Sequence, residues 1–176
     1  DIDYFKKCNL FKKKIIKTYT LCASKLDEEY LKNFNVVIAL AGYSNNPILK
    51  KNEKDFHNKE FNYLTKIAKI CKKNRIRFLF PSSCSLYGKS DGKKKLDENS
   101  KINPITHYSL NKRKIEKFLI KLTDKNFKPI ILRFSTLYGI SQKMRFDIVI
   151  NMFCGSALVH NKIELMLKER VDLEQA

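Results

Sequence analysis

The feature that most constrains this chain is an alternation of short, continuously apolar runs with long amphipathic stretches. After Asn35 the sequence reads Val36-Val37-Ile38-Ala39-Leu40-Ala41 and stops at Gly42. Residues 76–80 form a second run, which stops at Pro81-Ser82-Ser83. Residues 129–134 form a third, and residues 14–18 a weaker fourth. Runs this short, apolar without alternation, predict strands buried on both faces, as in parallel sheets. The stretches between them carry helical spacing instead. Phe61, Leu64, Ile67, Ala68 and Cys71 recur over residues 53–73, and Leu110, Ile115, Phe118, Leu119 and Leu122 over residues 107–124. Shorter helices are expected over 26–33, whose acidic start suits the helix dipole, and over 146–159. Residues 89–103 are polar, contain Gly92 and read as a loop.

Strand, helix, strand, helix, strand predicts an α/β chain with a parallel sheet and right-handed crossovers. Ligands of such sheets bind at the carboxyl ends of the strands. The informative loops therefore begin at Gly42, at Ser82-Ser83 and at Ser135-Thr136.

Bulk properties narrow the class further. The 176 residues suffice for one domain with a single core. With 43% hydrophobic and 31% charged residues, the composition is globular rather than disordered. No apolar run approaches the ~18–20 residues of a membrane span, no secretory signal is visible, and a cytoplasmic setting is expected. The net charge is +18, but 30 Lys stand against 6 Arg, beside 15 Asn. That is the mix AT-rich codons supply, whereas a base-reading surface favours Arg, so nucleic acid is disfavoured as a partner. Cysteines 8, 22, 71, 84 and 154 form no CxxC pair, and histidines 57, 107 and 160 do not cluster with them. Neither a metal site nor a disulfide framework is expected.

Two segments carry chemistry. Tyr108-Ser-Leu-Asn-Lys112 opens the second long helix, and a spacing of four puts Tyr108 and Lys112 on one face, one turn apart. A free tyrosine titrates near pH ~10, a neighbouring ammonium favours the phenolate, and a tyrosine so tuned can exchange a proton with a hydroxyl. The second segment is Ser82-Ser83-Cys84-Ser85-Leu86-Tyr87-Gly88, directly after a buried strand. Taken singly, a solvated helix face explains the first and a Ser-rich turn the second.

Their order along the chain resembles the extended short-chain dehydrogenase/reductase family, of the NAD-dependent nucleotide-sugar epimerase/dehydratase type. Val36 to Gly42 is similar to its DVVIHLAG strand, Ser82 to Gly88 to its SSxxVYG block, and Tyr108 to Lys112 to its YxxxK. Asp97-Glu98, Asn103-Pro104, Leu132-Arg133 and Tyr138-Gly139 follow in family order, and Met144-Arg145-Phe146-Asp147 with Asn151 resembles its substrate-side segment. The resemblance implies a Rossmann-like, doubly wound parallel sheet in three α/β/α layers over residues 1–165, with 166–176 a polar tail or the start of a further lobe. It implies Ser83, Tyr108 and Lys112 as the catalytic set. It places Ala41, Gly42, Ser82 and Ser135 beside NAD, or NADP. Asn62, with Asn58 as the other placement, would also approach the cofactor. Cys84, Ser85, Thr136, Arg145 and Asn151 would face a nucleotide-sugar substrate. A homodimer is also implied. Cys84 and Ser85 stand where 4,6-dehydratases carry an acidic pair, so an epimerase or a reductase is expected.

The chain departs from that pattern in one respect. Its five glycines, 42, 88, 92, 139 and 155, include no Gly-rich phosphate loop, the element that brings backbone close to a pyrophosphate. The chain begins at Asp1 and reads as part of a longer enzyme that lacks the first βαβ segment and most of the substrate lobe. By itself it is expected to bind NAD weakly or not at all. The alternative is a non-catalytic Rossmann-like module that uses its basic surface for a protein partner or RNA.

Overall fold

The structure is a computed structural model that describes residues 22–42, 53–89, 95–141 and 144–163. The weak strand expected at 14–18, Gly92 and the tail 166–176 lie outside the described residues. Three strands, β1 (Val36–Ile38), β2 (Arg77–Ser83) and β3 (Ile130–Phe134), lie side by side in that order, all parallel. A short helix α1 (Glu28–Leu31) precedes β1. Helix α2 (Glu53–Lys73) comes between β1 and β2, α3 (His107–Leu122) between β2 and β3, and α4 (Val149–His160) after β3. The three long-range strand expectations and α2 and α3 are thus all present in an α/β, Rossmann-like arrangement. The register pairs Val37 with Phe78, Phe80 with Ile131 and Ser83 with Phe134.

Packing follows the two periodicities. The stripe Leu64, Ile67, Ala68 and Cys71 of α2 meets Ile115 and Leu119 of α3 over Phe78 and Phe80 of β2. Fully burying side chains of this size stabilises by about 1.5–3 kcal/mol each. Helix α3 is started by a reciprocal cap. The Thr106 hydroxyl accepts from the Ser109 backbone N–H, and the Ser109 hydroxyl accepts from that of Thr106. That cap fixes the first turn, in which Tyr108 lies.

Among the described residues, α2 and α3 cover one face of the sheet, and the alternate side chains point away from it. On the other face Val36, Ile38, Ile130, Leu132 and Phe134 are exposed among the described residues. Strand β1 also ends earlier than its apolar run. Ala39 still donates to the Leu79 carbonyl, but the Leu40 N–H turns back to Ile38. The backbone leaves the sheet there, which brings Ala41 and Gly42 out over the strand ends.

Candidate active site

The carboxyl ends of β1, β2 and β3 open onto two adjoining clefts that share Gly42. The first, of about 670 Å³, is lined by Ala41, Gly42, Lys59, Asn62, Tyr63 and Ser24, among others. The second, of about 730 Å³, is lined on one side by Ser82, Ser83, Cys84, Ser85, Tyr108 and Lys112. Its other side is formed by Ser135, Thr136, Arg145 and Asp147. Residues expected on three separate loops therefore share one cavity. Asn62 lines the neighbouring cleft, beside Ala41, and Asn58 is exposed and lines neither. The Tyr63 hydroxyl donates to the Ala41 carbonyl, tying α2 to the loop after β1.

Strand β2 ends at Ser83 and passes directly into a 3₁₀ turn over Cys84–Tyr87. The Ser83 hydroxyl caps that turn by accepting from the Ser85 N–H at 3.2 Å. It lines the same cavity as Tyr108. Arg145 enters the same cavity and forms a two-point ion pair with Asp147, at 3.0 and 2.6 Å. Ser82 Oγ and Ser85 Oγ are buried and have no hydrogen-bond partner among the described residues. Buried hydroxyls of that kind normally find a partner, and here both line a cavity able to admit one.

Asn151, expected against substrate, is tied into the backbone around the cavity. It is buried, its carbonyl oxygen accepts from the Gly139 N–H, and its amide donates to the Arg145 carbonyl. Both ends of the amide are committed to backbone, so Asn151 holds together the two segments that carry Thr136 and Arg145.

The electrostatics differ from the simple expectation for a tyrosine near a lysine. Burial pushes the Tyr108 phenol above the ordinary tyrosine range. The Ser83 hydroxyl pulls it down, and the Glu60 carboxylate raises it further. The Lys112 ammonium is itself paired with a carboxylate. Lys112 Nζ lies 3.4 Å from Glu60 Oε1 and 5.5 Å from the centre of the Tyr108 ring. Glu60 also receives Asn111 Nδ2 at 3.1 Å and faces His57 Nδ1 at 3.4 Å. Glu60, His57 and Asn111 were missed by the motif reading. A legible signal existed for the first: Glu60 falls in the stripe 60, 64, 67, 68, 71, where a carboxylate interrupts an apolar face.

A second buried network braces the site from the other side. Arg133 grips the buried Glu116 carboxylate through Nε at 3.0 Å and through its second terminal nitrogen at 2.9 Å. It also donates to the Tyr87 hydroxyl at 3.0 Å and to the Glu98 carbonyl. Gly88 follows with φ 73°, and its backbone runs so close to Asn103 that a Cβ there would lie 2.1 Å from the Asn103 oxygen. The Tyr87-Gly88, Asn103 and Arg133 motif positions are thus one connected scaffold under Ser83.

Fold and cavity together define a Rossmann-like α/β protein with a Ser-Tyr-Lys set at its strand ends. The model of the NAD dependent epimerase/dehydratase family matches residues 5–169, and the chain belongs to that family. Solved structures share the fold. UDP-glucuronic acid 4-epimerase from Bacillus cereus, in complex with NAD, is 18% identical with a TM-score of 0.70, over 88% of this chain and 49% of that one. The NAD-dependent NDP-hexosamine 5,6-dehydratase TunA of tunicamycin biosynthesis is 22% identical with a TM-score of 0.64, over 79% and 46%. The ADP-L-glycero-D-manno-heptose-6-epimerase of Helicobacter pylori is 16% identical with a TM-score of 0.66, over 82% and 46%. The chain thus spans about half the length of these structures.

Proposed function

We propose that this chain carries the proton-transfer apparatus of an NAD(P)-dependent epimerase or reductase of a nucleotide sugar, with Tyr108 as the acid/base. The observation that carries the reading is that Ser83, Tyr108 and Lys112 line one cavity at the carboxyl end of β2. A sugar hydroxyl entering that cavity would meet both groups. Ser83 would orient it, and Tyr108 would take or return its proton. Lys112 would hold a ribose hydroxyl and support the phenolate. Thr136 and Arg145, across the cavity, would face the sugar.

The residues present fit one end of a dinucleotide. Two clefts meet at Gly42, and Ser82 and Ser85, whose buried hydroxyls have no partner among the described residues, belong to the lining of the inner one. Ala41, Gly42, Asn62, Ser82, Lys112 and Ser135 would line it. The cofactor supplies hydride acceptance and return when bound. Support for the ligand classes comes from related structures, since the Bacillus cereus epimerase was solved with UDP-glucuronic acid and NAD. Exposed Leu110 and Ile120 on α3 support a homodimer through that helix. Among the described residues no helix is long and apolar enough to cross a membrane, and a cytoplasmic setting belongs to the same proposal. The test is turnover of UDP-sugars with NAD by the full-length enzyme. Tyr108→Phe should lower it by roughly 10²–10⁴-fold, whereas turnover equal to the unmodified protein would remove Tyr108 from the acid/base role.

A further inference from the structure

We propose that Glu60 is a positioning residue of this site: its buried carboxylate, held by His57 and Asn111, sets the place of the Lys112 ammonium and offsets its charge beside Tyr108. Glu60 is 0% exposed, on a helix face otherwise built from Leu64, Ile67, Ala68 and Cys71. A carboxylate on such a face persists only with partners that replace water. Each partner here comes from the site itself or its rim. Oε2 takes the Asn111 amide at 3.1 Å and lies 3.4 Å from His57 Nδ1, while Oε1 lies 3.4 Å from Lys112 Nζ. Gly42 completes the arrangement, because a Cβ there would come 2.6 Å from Oε1. The loop after β1 therefore has to be bare at the point where Glu60 reaches toward Lys112.

The ammonium is confined from several directions. It sits 4.8 Å from the Phe80 ring centre and 5.5 Å from that of Tyr108, with the carboxylate behind it. Opposite charges this close present little net field to a third group nearby. Tyr108 thus sees Lys112 and Glu60 as a pair. The other groups acting on it are Ser83 and Cys84 from β2 and its turn, and Arg145 from the segment after β3.

The functional meaning of Glu60 rests on the reading of Tyr108 as acid/base, but its test does not need turnover. The phenol of Tyr108 is titrated in this chain, without cofactor, from the near-ultraviolet phenolate difference between each protein and its Tyr108→Phe counterpart. Glu60→Gln should move that ionisation to lower pH, because the ammonium is then no longer offset. Glu60→Asp, which keeps the charge, should move it back toward the unmodified value. An unchanged or higher midpoint in Glu60→Gln overturns the proposal. Should neither variant fold, the unmodified chain decides the matter through its isotope-labelled lysines. A Lys112 ammonium that exchanges protons more slowly than surface lysines supports the clamp, and one that exchanges as fast as they do overturns it. Retained turnover in Tyr108→Phe would defeat the acid/base reading and leave the titration result standing.

Discussion

Replacing Arg133 by Met keeps most of the side-chain volume and removes the charge that neutralises Glu116. The Glu116 carboxylate is fully buried, and Arg133 supplies two hydrogen bonds at 3.0 and 2.9 Å; the remaining charged neighbour, Arg113, stands at 3.5 Å. Breaking a buried pair by removing one partner costs about 3–5 kcal/mol. The Arg113 contact places the expectation at the lower end, at roughly 3 kcal/mol. Against a total stability of about 5–15 kcal/mol that is a large fraction. In urea, with a slope of about 1–3 kcal/mol/M, the midpoint should fall by about 1–3 M at unchanged slope. The control is the double variant Glu116→Leu/Arg133→Met, which removes both charges. It should recover most of the loss, because the penalty belongs to the stranded carboxylate rather than to the missing contact. A loss under about 1 kcal/mol for Arg133→Met would put the pair with exposed salt bridges and refute the reasoning. The same result would remove the brace that links Tyr87, β3 and α3.

Three further outcomes are expected. Gly88→Ala should destabilise by roughly 3 kcal/mol or more, since φ 73° and ψ −145° lie in a region open to glycine and the new Cβ would meet the Asn103 oxygen at 2.1 Å; thermal unfolding reads it, and a loss of only a few tenths would contradict the close approach. Burial pushes the Cys71 thiol from 9.0 to about 11. The folded state therefore keeps the proton longer than the unfolded chain, and the stability this contributes is present below pH 9.0 and lost as pH rises toward about 11. The stability difference between the unmodified protein and Cys71→Ala should be level below that window and change across it in urea titrations. Calorimetry on this chain should show weak or no NAD binding, because no Gly-rich loop is present to hold the pyrophosphate; micromolar affinity would contradict that account.

Much of this molecule was legible in its sequence because the signals are local. Strands β2 and β3 and helices α2 and α3 follow from runs and spacings within a few residues of each other. That Ser83, Tyr108 and Lys112 come to one cavity was legible because a strand end places the first and a four-residue helical spacing the other two. What escaped is non-local. Glu60 and Lys112 are 52 positions apart, and only the packing of α2 on α3 makes them a pair. The sequence reading therefore expected an ammonium acting freely on Tyr108, whereas the folded chain spends that charge on a carboxylate. The ties of Asn151 are equally invisible to a motif, because its amide bonds the Gly139 N–H and the Arg145 carbonyl.

The proposed part of Ser83 in preparing Tyr108 for proton transfer is tested most directly by the pH dependence of turnover of the full-length enzyme, unmodified and with Ser83→Ala. The Ser83 hydroxyl lowers the Tyr108 phenol against the rise caused by burial. Its loss should move the limb that reports Tyr108 to higher pH and slow the reaction. A slower reaction with the limb unmoved would contradict the claim, because Ser83 would then act on the substrate alone and not on Tyr108.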